Sequence, residues 1–248
     1  MSASTTVKAS VVMAVNIHRL FYGNQAFPTP RCVGSERTPE ATIARPTTPL
    51  LNRDLIARTA LALVDRHGPD GASVRRVAAR LGVNPASLYN HVPNRAAMVE
   101  DVRALVSEHI DFAPLRDLPW EEGLRAWARS YRRAFARHAR AIPLLMTERA
   151  SAPVLLAGYE HFAVAAEAVG WPQRDLLPLL TVFESFILGS VLDMSGPSVV
   201  FDPTGQEETV PRFAAAFAAL ADEDPDDPVA TRAFELGLDM LIASARPR

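Results

Sequence analysis

Ser73, Arg75 and Arg76, followed a short interval later by Asn84, Pro85, Ala86, Ser87, Asn90 and His91, are the side chains of this sequence that converge on one chemistry. An arginine fork can take a guanine edge or a phosphate in two parallel hydrogen bonds. A helix opening at Ser73 offers free backbone N–H groups to a phosphate. Small residues at Pro85, Ala86 and Ser87 let a backbone come close to base edges, where Asn90 and His91 can donate or accept.

Other chemistries find no comparable constellation. There is no Gly-x-Ser-x-Gly elbow, no phosphate-cradling glycine loop and no His-Glu-x-x-His, so the sequence does not read as an enzyme. The single cysteine, Cys32, excludes a disulfide within the chain and argues against a cysteine zinc site. The six histidines show no His-x-x-x-His spacing, so no metal and no cofactor are expected.

Composition bounds the class. With 48% hydrophobic and 22% charged residues, the 248-residue chain can bury a core and is not disordered throughout. A net charge of −2 excludes a uniformly basic nucleic-acid coater. The charge is uneven, however. Residues 52–98 carry seven basic and three acidic side chains, whereas residues 99–248 carry 14 basic and 23 acidic ones. A basic front joined to an acidic back suggests a polyanion reader attached to something else. No apolar run approaches the roughly 20 residues that span a bilayer. A reducing, cytoplasmic setting and no membrane partner are expected.

The elements that must hold these residues are helical. Residues 1–50 are rich in proline, serine and threonine and read as a disordered tail, unless translation starts further down, for example at Met13. Asn52 caps a helix with Leu55, Ile56, Ala60, Leu63 and Val64 on one stripe, ended by His67-Gly68-Pro69. Ser73 caps a two-turn helix that stops at Gly82, where a sharp turn needs a positive φ. Asn84 caps and Pro85 opens a third helix through about His91, and Asn94 caps a fourth to about Ile110.

Further on, the pattern predicts helices from Trp120 (with Pro119 at its first position) to His138, Pro153 to Val169, Pro172 to Met194, Thr209 to Ala221 and Pro228 to Ala245. The loop Ser195–Glu208 and an acidic loop Asp222–Asp227 join them. No segment alternates long enough to be a strand. The fold class is therefore all-α, with a three-helix head over 51–111 and a helical bundle over 112–248.

Two short helices crossing at Gly82 form a helix-turn-helix layout. Gly71, Val77-Ala78, Leu81-Gly82-Val83, Leu88-Tyr89-Asn90-His91-Val92 and Asn94-Arg95 resemble the tetracycline-repressor-like (TetR) family of bacterial transcriptional regulators. More loosely, Trp120, Gly170-Trp171 and Leu188-Gly189-Ser190-Val191-Leu192-Asp193 resemble the tetracycline-repressor branch. The resemblance implies a homodimeric repressor that binds a near-palindromic double-stranded operator and a small effector. It puts Arg75, Ser87, Asn90 and His91 at or near the operator, and Tyr89 and Arg95 on phosphates. Asn90 departs from the branch, where a large aromatic is common, so the operator sequence does not carry over.

For the effector, His109, Tyr131, Glu184 and Asp193 are the polar candidates, beside Trp127, Leu145, Phe162 and Phe183. Packing alone would equally account for the aromatic ones. In the tetracycline repressor a histidine helps hold drug-bound magnesium. By the looser match Leu144-Leu145-Met146 stands there, which points to an apolar effector or to none. The alternative is a C-terminal half that serves as a protein-interaction or small-molecule-processing module. The apolar character of Pro172–Met194 and Pro228–Ala245 on more than one face points to a dimeric four-helix interface, or else to burial within one large core.

Overall fold

The computed structural model describes residues 51–194, 201–222 and 229–246. The expected tail, most of the acidic loop and the start of the loop at 195 lie outside the described residues. Among those described, eleven α-helices and three short 3₁₀ turns make up the chain, with no strand.

The helical starts follow the capping chemistry. α1 (Arg53–His67) begins where Asn52 Oδ1 accepts from Leu55 N. It ends at Gly68, whose φ of 67° turns the chain into the 3₁₀ segment Gly68–Gly71. α2 (Val74–Leu81) starts at Ser73, whose Oγ accepts from Arg76 N at 3.2 Å, and ends at Gly82 in the left-handed region with φ 69°. α3 (Pro85–Tyr89) is capped by Asn84, and α4 (Arg95–Ser107) by Asn94. Each cap satisfies an N–H that the first helical turn leaves without a partner.

α3 is shorter than the pattern predicts. It closes at Tyr89, and Asn90 and His91 belong to the turn that follows. α4 likewise stops at Ser107, before Ile110.

The rest comprises α5 (Ala113–Asp117), α6 (Trp120–Ala136), α7 (Ile142–Leu145), α8 (Pro153–Ala168), α9 (Gln173–Met194), α10 (Pro211–Ala218) and α11 (Val229–Ser244). Pro119 is the N-cap of α6 and not its first residue. α5 and α7 carry no sequence signal because each is a single proline-led turn, too short to show a period. One core runs from α1–α4 into α6, α8, α9 and α11. α4 touches both ends, packing on α1 and also on α6, α7 and α8. Gly71 sits so close to α1 that an added methyl would meet the backbone at Leu63 and Val64.

α9 is long and apolar enough to cross a bilayer, contrary to the expectation of no such run. Its Leu176, Leu180, Phe183, Ile187 and Val191 are packed inside the bundle, and Glu184 in mid-helix is hydrogen-bonded there. These inward residues are core, whereas Leu177 and Val182 on the other side of the helix are exposed, so burial within the chain accounts for only part of its apolar composition.

Candidate nucleic-acid interface and effector site

The head presents one basic face. Arg75, Arg76 and Arg80 on α2 are exposed, and none enters an ion pair among the described residues. Val77 and Ala78 on the opposite face are wholly buried, as is Leu88 of α3, so the two helices cross on small apolar groups. The left-handed turn at Gly82 and the Val83 N–H, which donates to Ala78 O at 3.0 Å, fix that crossing. Pro85, Ala86, Tyr89, Asn90 and His91 stand exposed beyond the turn, with Tyr89 52% accessible. Ser87 is half-buried.

Three expected contact residues are engaged within the chain. Ser73 Oγ and Asn84 Oδ1 serve as caps, so their free capacity lies in the backbone they hold open. Arg95 reaches Glu148 at 3.5 Å. Arg80, absent from the sequence-based set, stands four residues beyond Arg76 on the same stripe. That spacing was the signal for it.

In the bundle, five of the eight effector candidates come together. Trp127 of α6, Phe162 of α8 and Phe183 of α9 pack ring to ring at 5.4, 6.1 and 6.3 Å between centroids. Tyr131 stands edge-on to Trp127 at 5.7 Å and donates through its hydroxyl to Glu184 Oε1 at 2.8 Å. Tyr159 of α8, which the sequence gave no reason to single out, donates to the same oxygen. Burial pushes both phenols above the usual tyrosine range, and the Glu184 carboxylate pushes them further, so both remain donors. The Trp127 Nε1–H is buried with no hydrogen-bond partner among the described residues.

The other three candidates are elsewhere. His109 is exposed, with Nδ1 3.2 Å from Leu105 O. Asp193 is exposed near the end of α9. Leu145 is buried in α7, and its carbonyl accepts from Arg103. Leu144 and Leu145 are both buried and offer only alkyl side chains. Among the described residues no three histidine, cysteine or acidic side chains gather to hold a metal ion.

A link between head and bundle was not foreseen. Arg103 Nη2 donates to the carbonyls of Leu145 and Glu148. Glu100 Oε1 accepts from the N–H groups of Ser151 and Ala152, at the start of α8. The two side chains also pair with each other at 3.3 Å. One helix thus grips both ends of the loop joining α7 to α8.

A helix pair with a free arginine face, set on a helical bundle with an aromatic-lined carboxylate, defines a helix-turn-helix regulator. Comparison with known proteins agrees. Residues 56–102 match the model of bacterial regulatory proteins of the tetR family, and residues 113–245 match the tetracyclin repressor-like C-terminal domain. The chain belongs to this family and is a ligand-responsive DNA-binding repressor of that kind.

Among its relatives, the tetracycline repressor protein class A from transposon 1721 of Escherichia coli is 30% identical over 195 residues, covering 77% of this chain and 89% of that protein. The class C protein of Escherichia coli is 28% identical over 201 residues, with the same coverage. The TetR family protein ActR of Streptomyces coelicolor, solved in complex with (S)-DNPA, is 26% identical with a TM-score of 0.65, covering 79% of this chain and 96% of its own.

Proposed function

We propose that two copies of this chain read a near-palindromic duplex and release it when a small effector enters the bundle. Residues 51–111 act as the reader and residues 112–248 as the effector-binding and dimerising part. Arg75, Arg76 and Arg80, on one exposed face and in no ion pair among the described residues, carry this reading. Asn90 and His91 meet base edges, Tyr89 and Arg95 meet phosphates, and the N-terminus of α2 at Ser73 meets another phosphate. Two such heads, one DNA turn of roughly 34–36 Å apart, make the operator palindromic.

The effector has an apolar body that parts the Trp127, Phe162 and Phe183 rings. It accepts from the Trp127 indole and donates to the second oxygen of Glu184. The unpartnered indole N–H supports this, because a buried donor without an acceptor costs about 1–3 kcal/mol that a ligand can recover. No chelated magnesium is needed. The effector acts through α4, whose Glu100 and Arg103 hold the loop beside the bundle. It shifts the population of head spacings by its differential affinity for them. The protein works in the cytoplasm, on the nucleoid when bound to DNA. It is a regulator and not an enzyme, as its relatives are regulators.

The test is footprinting of genomic fragments with the purified dimer, followed by a melting scan against apolar compounds. A palindromic footprint, and a compound that raises the melting temperature while releasing DNA, are expected. No sequence preference for duplex DNA would overturn the reading. Turnover of a compound would favour a processing module instead.

A further inference from the structure

We propose that the cavity between α6 and α11 is a second ligand site, built for a small organic carboxylate with an apolar body. The proposal is independent of the effector site, with which it shares no residue. Arg129, Arg132, Arg133 and Ala136 recur at helical spacing and line one side of a cavity of about 160 Å³. Phe234 and Glu235 of α11 and Met194 at the end of α9 line the rest.

Charge on the lining is unbalanced. Arg129 holds Glu235 in a two-pronged pair at 2.9 and 2.6 Å, which uses that carboxylate. Arg133 is exposed and has no ion pair among the described residues. Arg132 is only 8% accessible. Its guanidinium lies 4.4 Å over the Phe234 ring, and its Nη2 donates to Ala230 O at 3.1 Å. Its Nε–H is buried with no hydrogen-bond partner among the described residues. Glu235 and Asp193 reach it only through space, and burial lowers its pKa more than they raise it.

A buried guanidinium with an unused N–H beside an open cavity lacks an acceptor. A carboxylate fits because its two oxygens match the planar fork of arginine. The Phe234, Met194 and Ala136 surfaces favour an apolar body behind that head over a bare anion.

The experiment is calorimetric titration of the full-length protein with benzoate, with benzamide and inorganic phosphate as controls. Benzoate is expected to bind once per chain, with a Kd of about 1 mM or tighter. Benzamide should give no saturable heat, and phosphate should bind at least about fivefold more weakly than benzoate. Arg132→Met should abolish binding. Should that variant fail to fold, Arg133→Gln decides, because Arg133 is exposed. It should weaken benzoate at least about fivefold and leave the melting temperature of the free protein unchanged. No saturation by about 10 mM benzoate, equal binding of benzamide, or an unaffected Arg133→Gln would overturn the site. Phosphate binding as tightly as benzoate would overturn the carboxylate assignment.

Discussion

Arg103 Nη2 donates to the carbonyl oxygen of Leu145 at 2.5 Å, across 42 residues of sequence. This bond fastens the helix that leaves the DNA-reading head to the last turn of α7. The same guanidinium holds Glu148 O at 2.9 Å, and its partner Glu100 holds the N–H groups that open α8. Arg103 is buried, and these groups compensate its charge.

Removing either member should therefore expose the other to the full cost of burial. We expect Arg103→Gln and Glu100→Gln each to lower stability by about 2–4 kcal/mol, and the double variant by less than their sum. Urea unfolding of all four proteins measures the coupling. Strict additivity would mean that the two side chains do not act as a unit.

How this link escaped the sequence is instructive. Asn52, Ser73, Asn84 and Asn94 could be read as caps because a cap acts on N–H groups two or three residues away. The left-handed turn at Gly82 and the aromatic trio of Trp127, Phe162 and Phe183 were legible for similar reasons: a turn is local, and large rings bury. Glu100, Arg103 and Arg132 look like solvated helix positions. Arg103 and Arg132 are buried, and Glu100 is half-buried, only because of where distant segments cross them. Tyr159 joins Tyr131 on Glu184 through the packing of three helices, and nothing near it in sequence marks that role. His109 and Asp193 lie apart from this cluster, His109 exposed in the turn after α4 and Asp193 exposed near the end of α9.

The basic face makes a direct claim about DNA. Arg75→Ala and Tyr89→Ala are expected to abolish the operator shift in fluorescence anisotropy and leave the sedimentation of the protein unchanged, because both side chains are exposed. Raising salt from about 50 to 200 mM should cut parental affinity by roughly 10³–10⁵. A flat salt response would contradict phosphate-led binding, and full affinity in both variants would put the interface on another face.

The two phenols on Glu184 tie stability to alkaline pH. Their folded-state pKa values lie above the usual value of 10.0, so the unfolded chain loses these protons first as pH rises. Their stabilisation is complete below pH 10 and is lost above it, at up to about 1.4 kcal/mol per pH unit for each tyrosine. Urea melts between pH 9 and 11 should show this fall. Tyr131→Phe combined with Tyr159→Phe should flatten it and start from a lower stability at pH 8. An unchanged alkaline slope in the double variant would show that other groups carry it.

The outer faces of α9 and α11 carry the last prediction. Leu177 and Val182 on α9 are 74% and 49% accessible, and Leu236 and Met240 on α11 are both 60% accessible. Exposed apolar side chains on two neighbouring helices cost solubility unless another surface covers them, and a second copy supplies an identical pair of helices. A four-helix interface would bury them without disturbing the inward Phe183, Leu238 and Ile242. Leu236→Glu together with Met240→Glu should therefore convert the dimer to a monomer in analytical ultracentrifugation, with far-ultraviolet circular dichroism retained. The monomer should lose the operator shift almost completely, because each head alone makes only half of the phosphate contacts. A variant that remains dimeric would place the interface elsewhere. A monomer that binds the operator at parental affinity would break the argument that the spacing of two heads sets recognition.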